Sequence, residues 1–513
     1  MSLFLGLDCS TQSLSAVLID YGEKKVVFEH QLIFQKEFPH YGTKSGILRQ
    51  GSVVHSPPLM WVEALEKFFS QLCHQVDTNR ILAISGSAQQ HGSVYLNASF
   101  SQALKKSGPL KERLMHVFSR DMAPIWMDAS TEKECEEIRS ALGGMRAVIE
   151  ATGSNTFERF TAAQIRKFYK TERENYNKTH SIALVSSFFA SLLSGEIAPI
   201  DYGDGSGMNL MDIRKKEWHA QALEATAPGL REKLPPLAPS SRAIKPIHPY
   251  FVEKYGINPK ALCIAWTGDN PSSMIGLGMI EPGMAAVSLG TSFTHFGCIH
   301  DVHTDPQGEG HLFVSPTGDY MTLNCFLNGA LAIQRMRESY GYDWPAFIRA
   351  LQETPPGNNG ALLLPYFETE IVPRVVNPSL HRFQLSPDDG PANCRALIEA
   401  QMMAIRIHSE WMQLHSKKLL VTGGVAHNAP ILQILSDVMD LPIYNIDVSK
   451  STALGAALRA AFAYYGNKSW KEILGGFTHS ALVATPNPAS VKTYRSLIKE
   501  YRAREKAFLN TFT

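Results

Sequence analysis

Two apolar strands that each end in a hydroxyl-bearing turn constrain this chain more than any other feature. Phe4-Leu5-Gly6-Leu7 runs into Asp8-Cys9-Ser10-Thr11-Gln12-Ser13 and then into Leu14-Ser15-Ala16-Val17-Leu18-Ile19, which reads as a hairpin with a carboxylate at its bend. Val287-Ser288-Leu289 runs into Gly290-Thr291-Ser292 in the same manner. One flexible residue and two hydroxyls allow backbone N–H groups and Oγ atoms to point together at phosphate oxygens. Shortly before the second turn, Ala265-Trp266-Thr267-Gly268-Asp269-Asn270-Pro271 supplies a carboxylate, Asp269, that can act as the base for an incoming hydroxyl. Two turns of one kind predict two like domains facing one nucleotide.

A length of 513 residues allows roughly three domains of about 150 residues or two larger ones. With 49 Lys+Arg against 48 Asp+Glu, the net charge of +1 gives no broad field to draw the chain to nucleic acid or to an acidic membrane. An anionic ligand has to be held locally. The seven cysteines are odd in number, scattered and without a C-x-x-C pair, which argues against a zinc site and a disulfide framework and for a reducing cytoplasm. Met1-Ser2 leads straight into a strand, so no secretory signal is expected. The most apolar stretch, residues 182–193, is broken by serines and falls short of the about 20 residues that span a bilayer; it reads as a buried helix. No G-x-G-x-x-G follows a strand and no P-loop occurs, which disfavours a dinucleotide-binding oxidoreductase.

Alternating patterns give an α/β architecture. Residues 59–69 carry apolar side chains at helical spacing, and residues 81–86 read as a strand buried on both faces. Residues 234–249 hold five prolines, cannot continue a helix or a central strand, and are expected on the surface. Further on, Leu419-Leu420-Val421-Thr422 reads as a buried strand, Gly423-Gly424-Val425 as a turn and residues 431–439 as a helix.

Asp8-Cys9-Ser10-Thr11, Thr267-Gly268-Asp269-Asn270, Ser288-Leu289-Gly290-Thr291-Ser292 and Thr422-Gly423-Gly424-Val425-Ala426-His427-Asn428 fall in the order and spacing of the FGGY carbohydrate kinases, which the chain resembles over most of its length. Within that family, residues 87–93, Trp126-Met127-Asp128, Glu158-Arg159-Phe160-Thr161 and residues 201–209 look like the xylulose kinases, the animal-type enzymes in particular. The resemblance implies two actin-like, ribonuclease-H-like domains with the active site in the cleft between them. Residues 1–279 would form the sugar-binding and catalytic domain and residues 280–513 the nucleotide-binding one. It implies ATP-dependent phosphorylation of a ketopentose, D-xylulose to its 5-phosphate, by a cytoplasmic enzyme that is a monomer or homodimer. A kinase for ribulose or glycerol, or a non-catalytic actin-like sensor, stands as the alternative. Asp269 speaks against the sensor, which needs no base.

On this resemblance Asp269 is the catalytic base, and Asp8 holds Mg²⁺ through water, since magnesium keeps its waters and one carboxylate plus nucleotide oxygens suffices. Alone, an aspartate after a strand reads as a turn residue bonding its own backbone. Ser10, Thr11, Thr291 and Ser292 line the phosphate path. Gly423 and Gly424 let the backbone approach the flat face of a base, Asn428 offers a donor and an acceptor to its edge, and Trp344 corresponds to a nucleotide-contacting tryptophan. His91 and Arg159, with Asp269 and Asn270, are the sugar candidates, because a polyol needs neutral and charged donors. By itself His91 reads more often as a satisfied core histidine and Arg159 as a surface or helix-capping charge. Three positions depart from the family pattern: Ser15 replaces a basic residue, Phe293 follows the second turn where a small or acidic residue is usual, and Gly203 replaces a hydroxyl residue. These bear on nucleotide affinity and rate rather than on reaction class.

Overall fold

Strand Leu3–Cys9 is buried at every position, as is its hairpin partner Ser13–Asp20. A strand with no polar face belongs inside a covered sheet. The computed structural model describes residues 2–446 and 450–510, and in it these two strands lie within a sheet of the order Ala243–Pro246, Leu262–Ile264, Ile81–Ala88, Leu3–Cys9, Ser13–Asp20, Lys25–Ile33. The inner strands Leu262–Ile264, Ile81–Ala88 and Leu3–Cys9 run parallel, the hairpin strands antiparallel, and Ala243–Pro246 closes the edge antiparallel. Thr267–Gly268 continues beside the end of Ile81–Ala88.

A second sheet repeats this plan. Six of its seven strands have the order Ser480–Ala484, Ile443–Ile446, Leu419–Thr422, Ala285–Leu289, Phe293–Ile299, Tyr320–Phe326. Again three parallel strands lie between an antiparallel edge and an antiparallel hairpin. Three residues, 10–12 and 290–292, separate the hairpin strands in each sheet. The echo between the two turns is thus a repeat of topology, and the two halves are like domains.

The chain forms two compact units: Met1–Ile280 with Leu312–Tyr320 and Val448–Thr478, and the remainder. A single cut between residues 279 and 280 does not reproduce this division. The reason lies in helix Ser451–Tyr465, which beds on glycines of the first unit. A Cβ on Gly6 would stand 2.0 Å from the Ala453 carbonyl oxygen, and one on Gly276 would stand 1.9 Å from that of Ser451. Only bare backbone permits such contact.

Helix Pro58–Leu72 buries Met60, Trp61, Leu65, Phe68, Phe69 and Leu72 against the first sheet's core. Residues 182–193 are not one helix: strand Thr179–Leu184 passes into helix Val185–Ser194. Apart from its buried serines the run is apolar across both pieces, because both are buried, so periodicity could not mark the junction. The proline-rich segment 234–249 contributes a sheet edge at Ala243–Pro246, where a missing N–H costs no ladder bond. All seven cysteines are free. Among the described residues no helix is long and apolar enough to cross a membrane.

Candidate active site

The parallel strands of the first unit end level with one another. Asp8 and Thr267 both pair with Ser87, and Cys9 and Gly268 both pair with Ala88. Such carboxyl ends are where open α/β sheets place ligands. Asp8 is buried and accepts a hydrogen bond from Ser87 Oγ at 2.7 Å. Loss of solvent raises its pKa to about 6 against the bonds from Ser87 and Thr452 that favour the anion.

Asp269 opens helix Asp269–Gly276 directly after the short strand Thr267–Gly268. The backbone N–H of Asn270 donates to its Oδ1 at 2.8 Å, and the N–H of Gln90 also donates to the carboxylate. Asn270 Nδ2 reaches Gln90 Oε1 at 2.8 Å and Asp269 Oδ1 at 3.2 Å. Burial, and next the negative charge of Asp8, push the Asp269 carboxyl up to about 7. A carboxyl poised at neutrality is what a general base needs.

His91 follows Gln90 with φ +69, a left-handed conformation that is uncommon for a residue bearing a Cβ. Its ring stacks on Phe160 at 4.3 Å, and Nδ1 lies 2.8 Å from the Gly207 carbonyl oxygen. A carbonyl only accepts, so Nδ1 carries the hydrogen and Nε2 is left as an acceptor. Burial and then the positive charge of Arg159 hold the imidazole down at about 3, hence neutral. His91 and Arg159 are therefore electrostatic neighbours. Asp128 steadies this corner: it accepts from Gln164 Nε2 at 2.8 Å, and the same Nε2 donates to the Glu158 carbonyl at 3.1 Å, next to Arg159. The loop 201–209 supplies the Gly207 carbonyl, and its Asp201 caps helix Tyr202–Gly205.

The hydroxyls of the first turn are turned to protein. Ser10 Oγ donates to the Ser13 carbonyl at 3.1 Å and lies 3.0 Å from Ser13 Oγ. Thr11 Oγ1 donates to Gln89 Oε1 at 3.2 Å and accepts from Trp126 Nε1 at 2.8 Å. With those hydrogens engaged, and the Ser10 N–H bonded to the Ser13 carbonyl at 2.9 Å, the backbone N–H groups of Thr11 and Gln12 are what this turn can offer an anion.

In the second unit Thr291 is exposed and Ser292 partly so. Gly423 has φ +97 and lies so close to strand Ala285–Leu289 that a Cβ would stand 2.7 Å from the Leu289 carbonyl. Gly424 is exposed, with nothing within 4 Å of its Cβ position. Asn428 Nδ2 donates back to the Val425 carbonyl at 3.3 Å, before helix Ala429–Met439. This turn follows the third strand of its sheet counted from the antiparallel edge, as Gln89-Gln90-His91 follows the third strand of the first counted in the same way. Trp344, 41% exposed and so not a core residue, opens helix Trp344–Glu353 with the Arg337 guanidinium 4.6 Å from its ring.

Two departures acquire structural reasons. Phe293 does not face the turn; it is buried in the second unit's core. Gly203 sits where a Cβ would be 2.8 Å from Thr267 Oγ1 and 2.9 Å from the Val314 carbonyl, so a serine does not fit. Sequence reasoning missed the roles of Gln90 and of Arg459. Arg459 is fully buried in helix Ser451–Tyr465, donates to the Ala265 carbonyl at 3.0 Å and also bonds the Gly86 carbonyl. It lies about 190 positions downstream of Ala265 in an alanine-rich helix, and no local pattern distinguishes it from a surface charge.

Models of the FGGY family of carbohydrate kinases match in two parts, the N-terminal domain over residues 118–276 and the C-terminal domain over residues 285–464. The xylulose kinase of Rattus norvegicus is 40% identical over 99% of this chain and 97% of its own length. The chain belongs to the FGGY family of carbohydrate kinases. Xylulose kinase 2 of Arabidopsis thaliana is likewise 40% identical, over 91% of this kinase and 88% of the plant protein. Among solved structures, a ligand-bound xylulose kinase from Lactobacillus acidophilus superposes with a TM-score of 0.86 at 19% identity, covering both chains completely. A Plasmodium falciparum glycerol kinase with ADP gives 0.80 at 17% identity, covering 98% of each chain. These likenesses fix the two-domain, actin-like FGGY fold. This kinase is thus an enzyme that phosphorylates a carbohydrate, with ATP as the family's co-substrate.

Proposed function

We propose that this kinase transfers the terminal phosphoryl group of ATP to the 5-hydroxyl of D-xylulose, with Asp269 as the base. The observation that carries the reading is the Asp269 carboxylate, fixed by the N–H groups of Asn270 and Gln90 and raised to about 7 beside Asp8. The xylulose kinases of rat and Arabidopsis, at 40% identity, support the choice of sugar. His91 Nε2 accepts from one sugar hydroxyl, Arg159 donates to another, Asn270, whose NH2 is engaged by Gln90 and Asp269, presents its amide oxygen, and Asp269 takes the proton of the attacking hydroxyl. Phosphoryl transfer asks the protein chiefly for position and charge stabilisation, and the hydroxyl proton leaves late. The rigid bonds around Asp269 therefore matter as much as its basicity.

On the nucleotide side, the turns 10–12 and 290–292 bind phosphate, the open face of Gly424 receives the base, and Gly423, Asn428 and Trp344 contact the nucleoside. Among the described residues no group of three or more acidic, His or Cys side chains could hold a metal ion alone. Mg²⁺ needs only one carboxylate when nucleotide oxygens and waters complete its shell, and the Asp8 carboxylate, which accepts from Ser87 and Thr452, keeps lone pairs for a metal-bound water. Mg²⁺ there would neutralise charge on the phosphates. Seven free cysteines suit a cytoplasmic setting.

A panel of D-xylulose, D-ribulose, glycerol and gluconate, assayed by ADP release, tests the assignment. D-xylulose should give the highest kcat/KM. Turnover of ribulose or glycerol with none of xylulose would overturn it.

A further inference from the structure

We infer that Glu370 and Gln401 are positioning residues for the phosphate-binding turn of the second unit, acting through Asn328 and Gly329. The inference rests on the reading of the turn 290–292 as a phosphate site. Gly329 packs against that turn so closely that a Cβ would stand 2.8 Å from the Thr291 carbonyl oxygen and 2.9 Å from the Phe293 nitrogen. Immediately after it, the Ala330 N–H at the start of helix Ala330–Ser339 points at the Gly290 carbonyl at 3.3 Å. The shape of the turn is thus set by where the segment 327–330 lies.

That segment is pinned from two sides. The buried Glu370 carboxylate accepts from the backbone N–H groups of Leu327 at 2.6 Å and Asn328 at 3.0 Å, from Asn328 Nδ2 at 3.0 Å, and from its neighbour Ile371 at 2.8 Å. Gln401, buried in helix Gly390–His408, donates through one nitrogen to the carbonyls of Asn328 at 2.7 Å and Gly329 at 3.0 Å. Its Oε1 is buried without a donor. A buried amide that leaves its oxygen unsatisfied to hold two adjacent carbonyls is retained at a cost, and the bonds it does make are the reason. Glu370 removes the N–H freedom of the segment, Gln401 the carbonyl freedom. Gly329 is then fixed against Thr291 through the bonds that Glu370 and Gln401 make to the segment 327–329.

Neither residue touches substrate on this account, so the signature is a selective one. In the purified protein, Glu370→Gln and Gln401→Met should each raise KM for ATP by about tenfold or more while leaving KM for the sugar within about twofold. The exposed Thr291→Glu puts negative charge on the turn and tests the phosphate reading itself. A merely structural role would lower the melting temperature and the active fraction without moving KM for ATP. If Thr291→Glu raises KM for ATP while folded Glu370→Gln and Gln401→Met do not, the turn binds phosphate but the positioning role is refuted. If none of the three moves it, the phosphate reading fails and the inference with it. Should Glu370→Gln not fold, Gln401→Met, a near-isosteric apolar replacement, decides alone.

Discussion

Ser15 stands directly opposite Asp8 in the register of the first hairpin. Residues so paired share a face of the sheet, with Cβ atoms about 4.5–5.5 Å apart. Both are buried. The basic residue that the family pattern carries at this position would therefore lie beside the Asp8 carboxylate as well as near the phosphates. Ser15→Lys is expected to hold Asp8 ionised to lower pH and to lower KM for ATP or raise kcat, since charge in a water-poor site acts strongly. Steady-state kinetics across pH measure this. Unchanged KM for ATP and unchanged kcat in the variant would show that no charge is missing.

Asp269 and the pH dependence of turnover form one prediction. The base must be ionised, so kcat should rise with pH through about 7 and level off above it. The contribution to folding has the opposite sense. The folded pKa of about 7 lies above the ordinary 3.8, so the folded chain binds the proton more tightly; that contribution is complete below 3.8 and is lost as pH rises through about 7. Asp8, raised to about 6, moves stability in the same direction. Asp269→Asn should abolish the acid limb and lower kcat by about 10²–10⁴, with both substrates bound within a few-fold. It should not lower the melting temperature above neutrality, because it removes a carboxylate that burial and Asp8 disfavour. Single-turnover phosphorylation by the variant is decisive: a rate within about threefold of the parent leaves Asp269 no role as base.

His91 should act on the sugar alone. With Nδ1–H bonded to Gly207 and the ring neutral, it offers one acceptor. His91→Ala should raise KM for the ketopentose by about one to two powers of ten, the loss of about 1.5–3 kcal/mol, with KM for ATP little changed. Equal damage to both substrates together with a lowered melting temperature would mark the ring as packing for Phe160 only.

What could be read from the sequence follows the range over which each signal acts. The two hairpin turns were legible because strand, bend and strand are contiguous, and the topological repeat followed from them. Asp269 and Asn270 were legible as an acid and an amide in one short motif. Gln90 was visible beside His91, but its bond to Asp269 joins residues about 180 positions apart, which no local pattern shows. The hydroxyls of Ser10 and Thr11 were expected toward phosphate, whereas the fold supplies Ser13, Gln89 and Trp126 as nearer partners. Helix Ser451–Tyr465 joined the first unit for a reason the sequence hides, the match of Gly6 and Gly276 to its backbone.

Gly423 and Gly424 are adjacent yet answer to different demands, and that difference tests the nucleotide site. Gly423 has a left-handed backbone and no room for a Cβ beside Leu289, so Gly423→Ala should destabilise the second unit whatever binds there. Gly424 has neither restriction: its Cβ position is open to solvent. Gly424→Val should therefore leave the melting temperature nearly unchanged while raising KM for ATP about tenfold or more, because the methyl groups would occupy the face that the base approaches. KM for the sugar should hold. Calorimetry and ATP titration of the two variants separate the cases. A Gly424→Val enzyme with parental affinity for ATP would place the base elsewhere in the second unit, with the exposed ring of Trp344 the next surface to alter.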